Sequence, residues 1–159
     1  MVNTIGIIDE MSFIPGNVPS LKNSKVKTNK GIFPSKTVSK YLKSFGINSY
    51  SSEKKVISIQ KTFKGNRFID YFKEEELNRI NRLRQENIPI CLGFHFIRDS
   101  KRRFDFGNAC QIICDLMTAY DIIEDDNMNC LIPFPIMVND RWFSYDKENP
   151  GVLIKVINE

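Results

Sequence analysis

Hydrophobic residues recur along the chain with two different periods, and those periods place the elements. Val38, Tyr41, Leu42 and Phe45 follow at helical spacing behind Ser35, a residue type that caps helix N-termini, and Gly46 supplies the stop. The spacing predicts a second helix over 73–86, where Leu77, Ile80 and Leu83 form one stripe among Glu, Arg and Asn, with Asn87 as its stop. A third and broader amphipathic helix is predicted from Phe106 to Tyr120. Ala109, Cys110, Ile113, Leu116 and Met117 mark its apolar face, and Asn108, Gln111, Asp115 and Thr118 its polar stripe. Strands are predicted over 4–14, closed by Pro15-Gly16, over 88–97, and over 152–157 after Pro150-Gly151. Residues 129–138 hold two prolines in an apolar run, which fits an edge strand or an extended segment.

The connections are less regular. Residues 17–34 read as a basic loop or loosely paired ribbon, 98–103 as a basic turn-forming link, and 139–150 as a polar connection. Over 48–72 the pattern fits no single element, although Val56, Ile57, Ile59 and Phe63 have strand character before a turn at Gly65-Asn66; this stretch reads as an insertion. The expected fold is one α/β (α+β) domain over 1–159, a small mixed sheet with helices packed on it.

Charge changes the picture more than composition does. Met11 to Ser52 holds no Asp or Glu but seven lysines, while the whole chain carries a net charge of +4, so the rest is net negative. Such asymmetry points to a polyanionic partner; the alternative is a solvated lysine-rich surface. No run approaches the length of a membrane span, and the first residues lack the order of a secretory signal. With four scattered cysteines read as reduced core thiols, the expectation is a cytoplasmic protein without a membrane partner or small-molecule cofactor.

Two acidic points bracket the third helix: Asp105 at its start, and Asp125 and Asp126 just past its end. A straight helix of that length spans roughly 22 Å. The two points therefore share an ion only if the chain folds back along the helix or a second subunit contributes. Close carboxylates either point apart into solvent or share a cation. Mg²⁺ needs only two or three of them, because it keeps several waters. Lys101, Arg102 and Arg103 directly precede Asp105, and such cations neutralise DNA phosphates; the alternative is a surface network of ion pairs. Zinc is disfavoured, since Cys91 and His95 would stand about 13 Å apart on a strand. His95, the one histidine, reads as a packed residue. Trp142, Phe143 and Tyr145 form an aromatic patch that either covers the sheet or a dimer interface, or stacks on unpaired bases. No P-loop or Rossmann glycine pattern is present.

The run from Lys101 to Asn108, a helix containing Asp115, and Glu124-Asp125-Asp126 together resemble the RusA family of Holliday junction resolvases. That family carries a basic run, an Asp-x-Asp-Asn motif, a helix with an Asp and an Asp-Asp pair at this spacing. The segment Ile14 to Asn23 is similar to the family's opening, and Gly151 to Val156 to its closing strand. The resemblance implies a homodimer of phage type that cuts branched DNA with Mg²⁺, Mn²⁺ being the other candidate ion. It implies Asp105 and Asp126 as catalytic, metal-binding acids with Asp125 beside them, and leaves Asn108, Asp125 or Glu124 to make up the metal's ligand count. Lys22, Lys25, Lys27, Lys101, Arg102 and Arg103 are the expected DNA contacts. Two positions depart from the pattern: Gly107 stands where the family has its second Asp, and Gln111 where it has a lysine. These departures leave a second expectation, a RusA-fold protein that binds branched DNA or recombination partners without cutting.

Overall fold

The computed structural model describes residues 10–20, 25–28, 31–51, 54 and 56–158, with the backbone only at 25–28 and 31–34. In chain order the elements are β1 (Ser12–Pro15), β2 (Lys25–Thr28), β3 (Gly31–Pro34), α1 (Lys36–Lys43), β4 (Ile47–Ser51) and β5 (Val56–Ile59). A 3₁₀ turn (Phe68–Tyr71), α2 (Glu74–Gln85), β6 (Ile90–Arg98) and α3 (Phe106–Ala119) follow, then β7 (Leu131–Pro135), β8 (Ser144–Tyr145) and β9 (Gly151–Val156).

The sheet is built around β6, whose near-continuous apolar sequence follows from burial on both faces. Leu92, Phe94 and Phe96 point to the helices, where the Phe106 ring meets Phe94 and Phe96 edge-on. The opposite face meets a smaller cluster of Met11, Val138 and Leu153. Order in the sheet is β1-β9-β6-β7, with β8 also on β6; β9 runs antiparallel to β1 and β6, and β7 and β8 run parallel to β6. Parallel neighbours need a crossover, and α3 with its return segment supplies it between β6 and β7. The described residues thus form a mixed α+β fold with a mixed sheet and three complete α-helices. No helix among the described residues is long and apolar enough to cross a membrane.

Several expectations shift. Of the strand expected over 4–14, residues 4–9 lie outside the described residues, and β1 runs on through Pro15, which pairs with Gly151. Proline is tolerated there because β1 is an edge strand. The basic segment 17–34 contains a paired ribbon, β2 with β3. The link 139–150 is not wholly irregular, since Ser144-Tyr145 pairs with Ile97-Arg98. Arg98 belongs to β6 and is buried, its guanidinium donating to the Val18 carbonyl and Ser20 Oγ and lying 4.7 Å from the Phe104 ring centre. The stretch 48–72 forms a β4–β5 hairpin and the 3₁₀ turn, and it feeds the main core through Phe68, which contacts Phe45, Phe72 and Tyr120. Gly46 ends α1 as expected: its φ of +78° is open to glycine, and the Phe63 ring fills the place of a Cβ.

Helix α2 buries an unexpected residue. Glu76 is 2% exposed, and its Oε2 accepts from Val156 N at 3.3 Å, taking up an N–H of β9 beyond the point where β1 stops pairing. Its Oε1 has no hydrogen-bond partner among the described residues. Burial pushes the Glu76 carboxyl above its ordinary value, outweighing Val156 N–H, Arg79, Lys155 and Lys73, which pull it down. A raised folded-state value means the native state holds this proton more tightly than the unfolded chain. The stabilising contribution is full below the ordinary carboxyl value and is lost as pH rises through the folded value. Glu76→Gln keeps an acceptor for Val156 and never ionises. Its melting temperature should exceed that of the parent by a few degrees at mildly alkaline pH, and the gap should close in acid. An equal gap at both pH values in thermal melts contradicts this.

Candidate functional site

Asp105 caps α3: its backbone is extended, and its Oδ1 accepts from Asn108 N at 3.0 Å. The side chain is exposed. Asn108 turns its amide to the Ser20 carbonyl at 3.3 Å, and Asn17 Oδ1 accepts from Asp99 N at 3.0 Å, so the N-terminal loop is drawn to the head of α3. Lys101, Arg102 and Arg103 are exposed on the approach to that head. Of the N-terminal lysines, Lys22 lies outside the described residues, and Lys25 and Lys27 have their backbone in β2.

The chain folds back along the helix after α3. Asp121 adopts φ +57° beyond the helix end, and Ile122 and Ile123 are buried against the core. The return brings Asp126 beside Gln111. One nitrogen, Gln111 Nε2, donates to Asp115 Oδ1 at 2.7 Å and to Asp126 Oδ2 at 2.8 Å. Two oxygens bound to one nitrogen are no further apart than the sum of those distances, so the carboxyls of Asp115 and Asp126 are close neighbours. Asp115 is 8% exposed, although the sequence puts it on the polar stripe of α3; the returning chain explains the difference. The Tyr50 hydroxyl, on β4, approaches Asp115 but falls short of a well-directed hydrogen bond. Burial, then Asp115 and Asp126, pushes its pKa far above that of an ordinary phenol, so Tyr50 stays protonated beside the acids.

The expected acids therefore do not all meet. Asp126 meets Asp115 through Gln111. Asp125 turns to its own loop, its Oδ1 accepting from Asp126 N at 2.8 Å and its Oδ2 from Asn127 Nδ2 at 3.2 Å. Asp105 stands six residues before Gln111, about 9 Å of helical rise. Among the described residues no three His, Cys, Asp or Glu side chains converge closely enough to hold a metal ion. What does converge is two carboxylates and one amide. The amide occupies one oxygen of each carboxylate, and with it swung aside the pair suits a hard cation that keeps most of its water.

Sequence reasoning placed Asp126 at the site, named Asp115 only as the acid within the helix of the resemblance, and missed Tyr50. Asp115 carried a signal, since Gln and Asp four apart on a helix are side-chain neighbours. Tyr50 carried none, lying in the stretch whose pattern is least regular.

The cysteines are free thiols, and His95 is spoken for: its Nδ1 lies 3.0 Å from the Ile136 carbonyl and its Nε2 2.7 Å from Ser144 Oγ. No family model, no curated protein and no solved structure matches this chain.

Proposed function

We propose that the chain is a Mg²⁺-dependent, structure-selective endonuclease of branched DNA, akin to the RusA-like resolvases and acting as a homodimer. The convergence of Asp115 and Asp126 on the Gln111 amide carries this reading. Two adjacent carboxylates, one on the helix that follows an exposed basic run and one on the segment that returns along it, give a nuclease its two parts, a cation-holding pair and a phosphate-holding arm. Asp115 and Asp126 are the residues that would hold the ion, with Gln111 between them and Asp105 and Asn108 at the head of the same helix. The bound cation supplies charge neutralisation at the phosphate and a more acidic attacking water. Lys101, Arg102 and Arg103 hold the DNA backbone, and Tyr50 keeps one side of Asp115 covered. A two-fold dimer matches the symmetry of a four-way junction.

Gly107 and Gln111 favour a second reading, a junction-binding protein that does not cut. A side chain at 107 would begin 3.1 Å from Asp105 Oδ1, so the carboxylate that the family carries there is missing beside the cap. The Gln111 amide already satisfies one oxygen of each acid without a cation. Mn²⁺ titration followed by electron paramagnetic resonance separates the two. Asp115→Asn should weaken Mn²⁺ binding about ten-fold or more, and Gln111→Ala, which removes the competing amide, should leave it intact or stronger. Equal Mn²⁺ binding by the parent and by folded Asp115→Asn would remove the metal-holding pair and leave the second reading.

A further inference from the structure

We propose that Trp142, Phe143 and Tyr145 form a stacking platform for unpaired bases of DNA, contiguous with the basic run at the head of α3. The inference rests on the DNA reading above for the nature of its ligand and deepens it by naming the part of a branched substrate that is gripped. The three side chains are 57%, 54% and 45% exposed, an unusual concentration of aromatic surface in four residues.

The fold presents this surface rigidly. Side chains alternate along a strand, so Ser144 turns inward while Phe143 and Tyr145 turn outward. Ser144 is held there by His95: the Ile136 carbonyl accepts from His95 Nδ1–H, which leaves Nε2 to accept from Ser144 Oγ at 2.7 Å. Backbone pairing of Ser144 and Tyr145 with Ile97 and Arg98 fixes the segment to the end of β6, immediately before the basic run. The Phe143 ring packs edge-on against Phe104 at 5.2 Å, and Lys101 Nζ lies 5.6 Å from the centre of the Tyr145 ring. Phe104 and Lys101 both belong to the link that leads into Asp105.

Charge decides what this patch takes. Exposed aromatic surface suits a protein partner as well as a nucleobase. Here, however, one ring already carries a lysine ammonium, and Arg102 and Arg103 are exposed next to that lysine. A ligand with flat apolar faces strung on a phosphate backbone satisfies both halves at once, and single-stranded DNA is such a ligand. Duplex DNA offers the phosphates and hides the faces. A branched junction with its arms opened offers both, because base faces at the branch point lose a stacking neighbour.

The chain contains a single tryptophan, so emission excited at the red edge, where tyrosine does not absorb, reports on this patch alone. Titrating the full chain with oligothymidylate should quench Trp142 emission saturably, whereas a blunt duplex at equal phosphate concentration should leave it nearly unchanged. Phe143→Ala should weaken oligothymidylate binding about ten-fold by anisotropy and leave duplex binding within about two-fold. Trp142→Phe, which keeps a ring, should bind as the parent does. The proposal is overturned if emission is unmoved while anisotropy reports bound oligothymidylate, or if no oligothymidylate binds. It is also overturned if emission shifts to the blue with protein concentration alone, since a second copy of the chain would then cover the patch. Quenching by oligothymidylate together with an uncut junction would overturn the nuclease reading and leave the platform standing.

Discussion

Gly151→Val is expected to cost about 3 kcal/mol or more and to lower the melting temperature by on the order of 10 °C. Gly151 opens β9 in the interior of the sheet, opposite Pro15 of β1 on one side and Ile97 of β6 on the other. A Cβ there would come 2.5 Å from the Ile14 carbonyl oxygen and run into the Phe13 ring. The ring can swing aside. The carbonyl cannot, because β1 is fixed to β9 through four paired positions. Relief therefore means parting β1 from β9. That move uncovers Ile14, which is fully buried, and loosens Ser12, whose Oγ accepts from Lys73 N at 3.0 Å ahead of α2. The loss is large against the 5–15 kcal/mol that holds a typical domain. Thermal unfolding followed by far-UV circular dichroism checks it; an unchanged melting temperature would mean that β1 and β9 do not pair in this register.

Helix α3 was legible in the sequence because its apolar face recurs at helical spacing, and strands β6 and β9 because each is a short, near-continuous apolar run. The Ser35 cap, the Gly46 stop and the Asn87 stop, at φ +55°, were legible for the same kind of reason: each is a local backbone requirement met by a particular residue type. What escaped depends on contacts between distant parts of the chain. Glu76 looks like one more surface acid on α2 until β1 is seen to stop short of Val156. Asp115 looks like a solvated member of a polar stripe until the chain returns over it. β8 is two residues long, too short for any alternation to register, and it exists because His95 and the end of β6 hold it. At the candidate site the sequence delivered Asp126 and the basic run. It left open whether the chain folds back, and the Gln111 bridge answers that for Asp126.

Asp126→Asn is expected to reduce strand cutting about a hundred-fold or more while leaving junction binding intact or tighter. The substitution is conservative for the fold. Asparagine keeps an oxygen that accepts from Gln111 Nε2, so the returning loop retains its attachment. The lost quantity is one negative charge beside Asp115. A cation held by a carboxylate pair loses half of that pair. A DNA phosphate approaching the same place loses a repelling neighbour, which is why binding does not suffer. A variant that cuts as well as the parent would remove Asp126 from the chemistry. One that fails to bind the junction would make Asp126 part of the binding surface instead.

The most direct measurement of the central claim is incubation of the full chain with an end-labelled four-way junction, in Mg²⁺ and in chelator, with Asp126→Asn alongside. The account predicts symmetrically paired nicks in the parent with Mg²⁺, none in chelator and almost none in the variant. Tight junction binding with no strand cut in either Mg²⁺ or Mn²⁺ would contradict it.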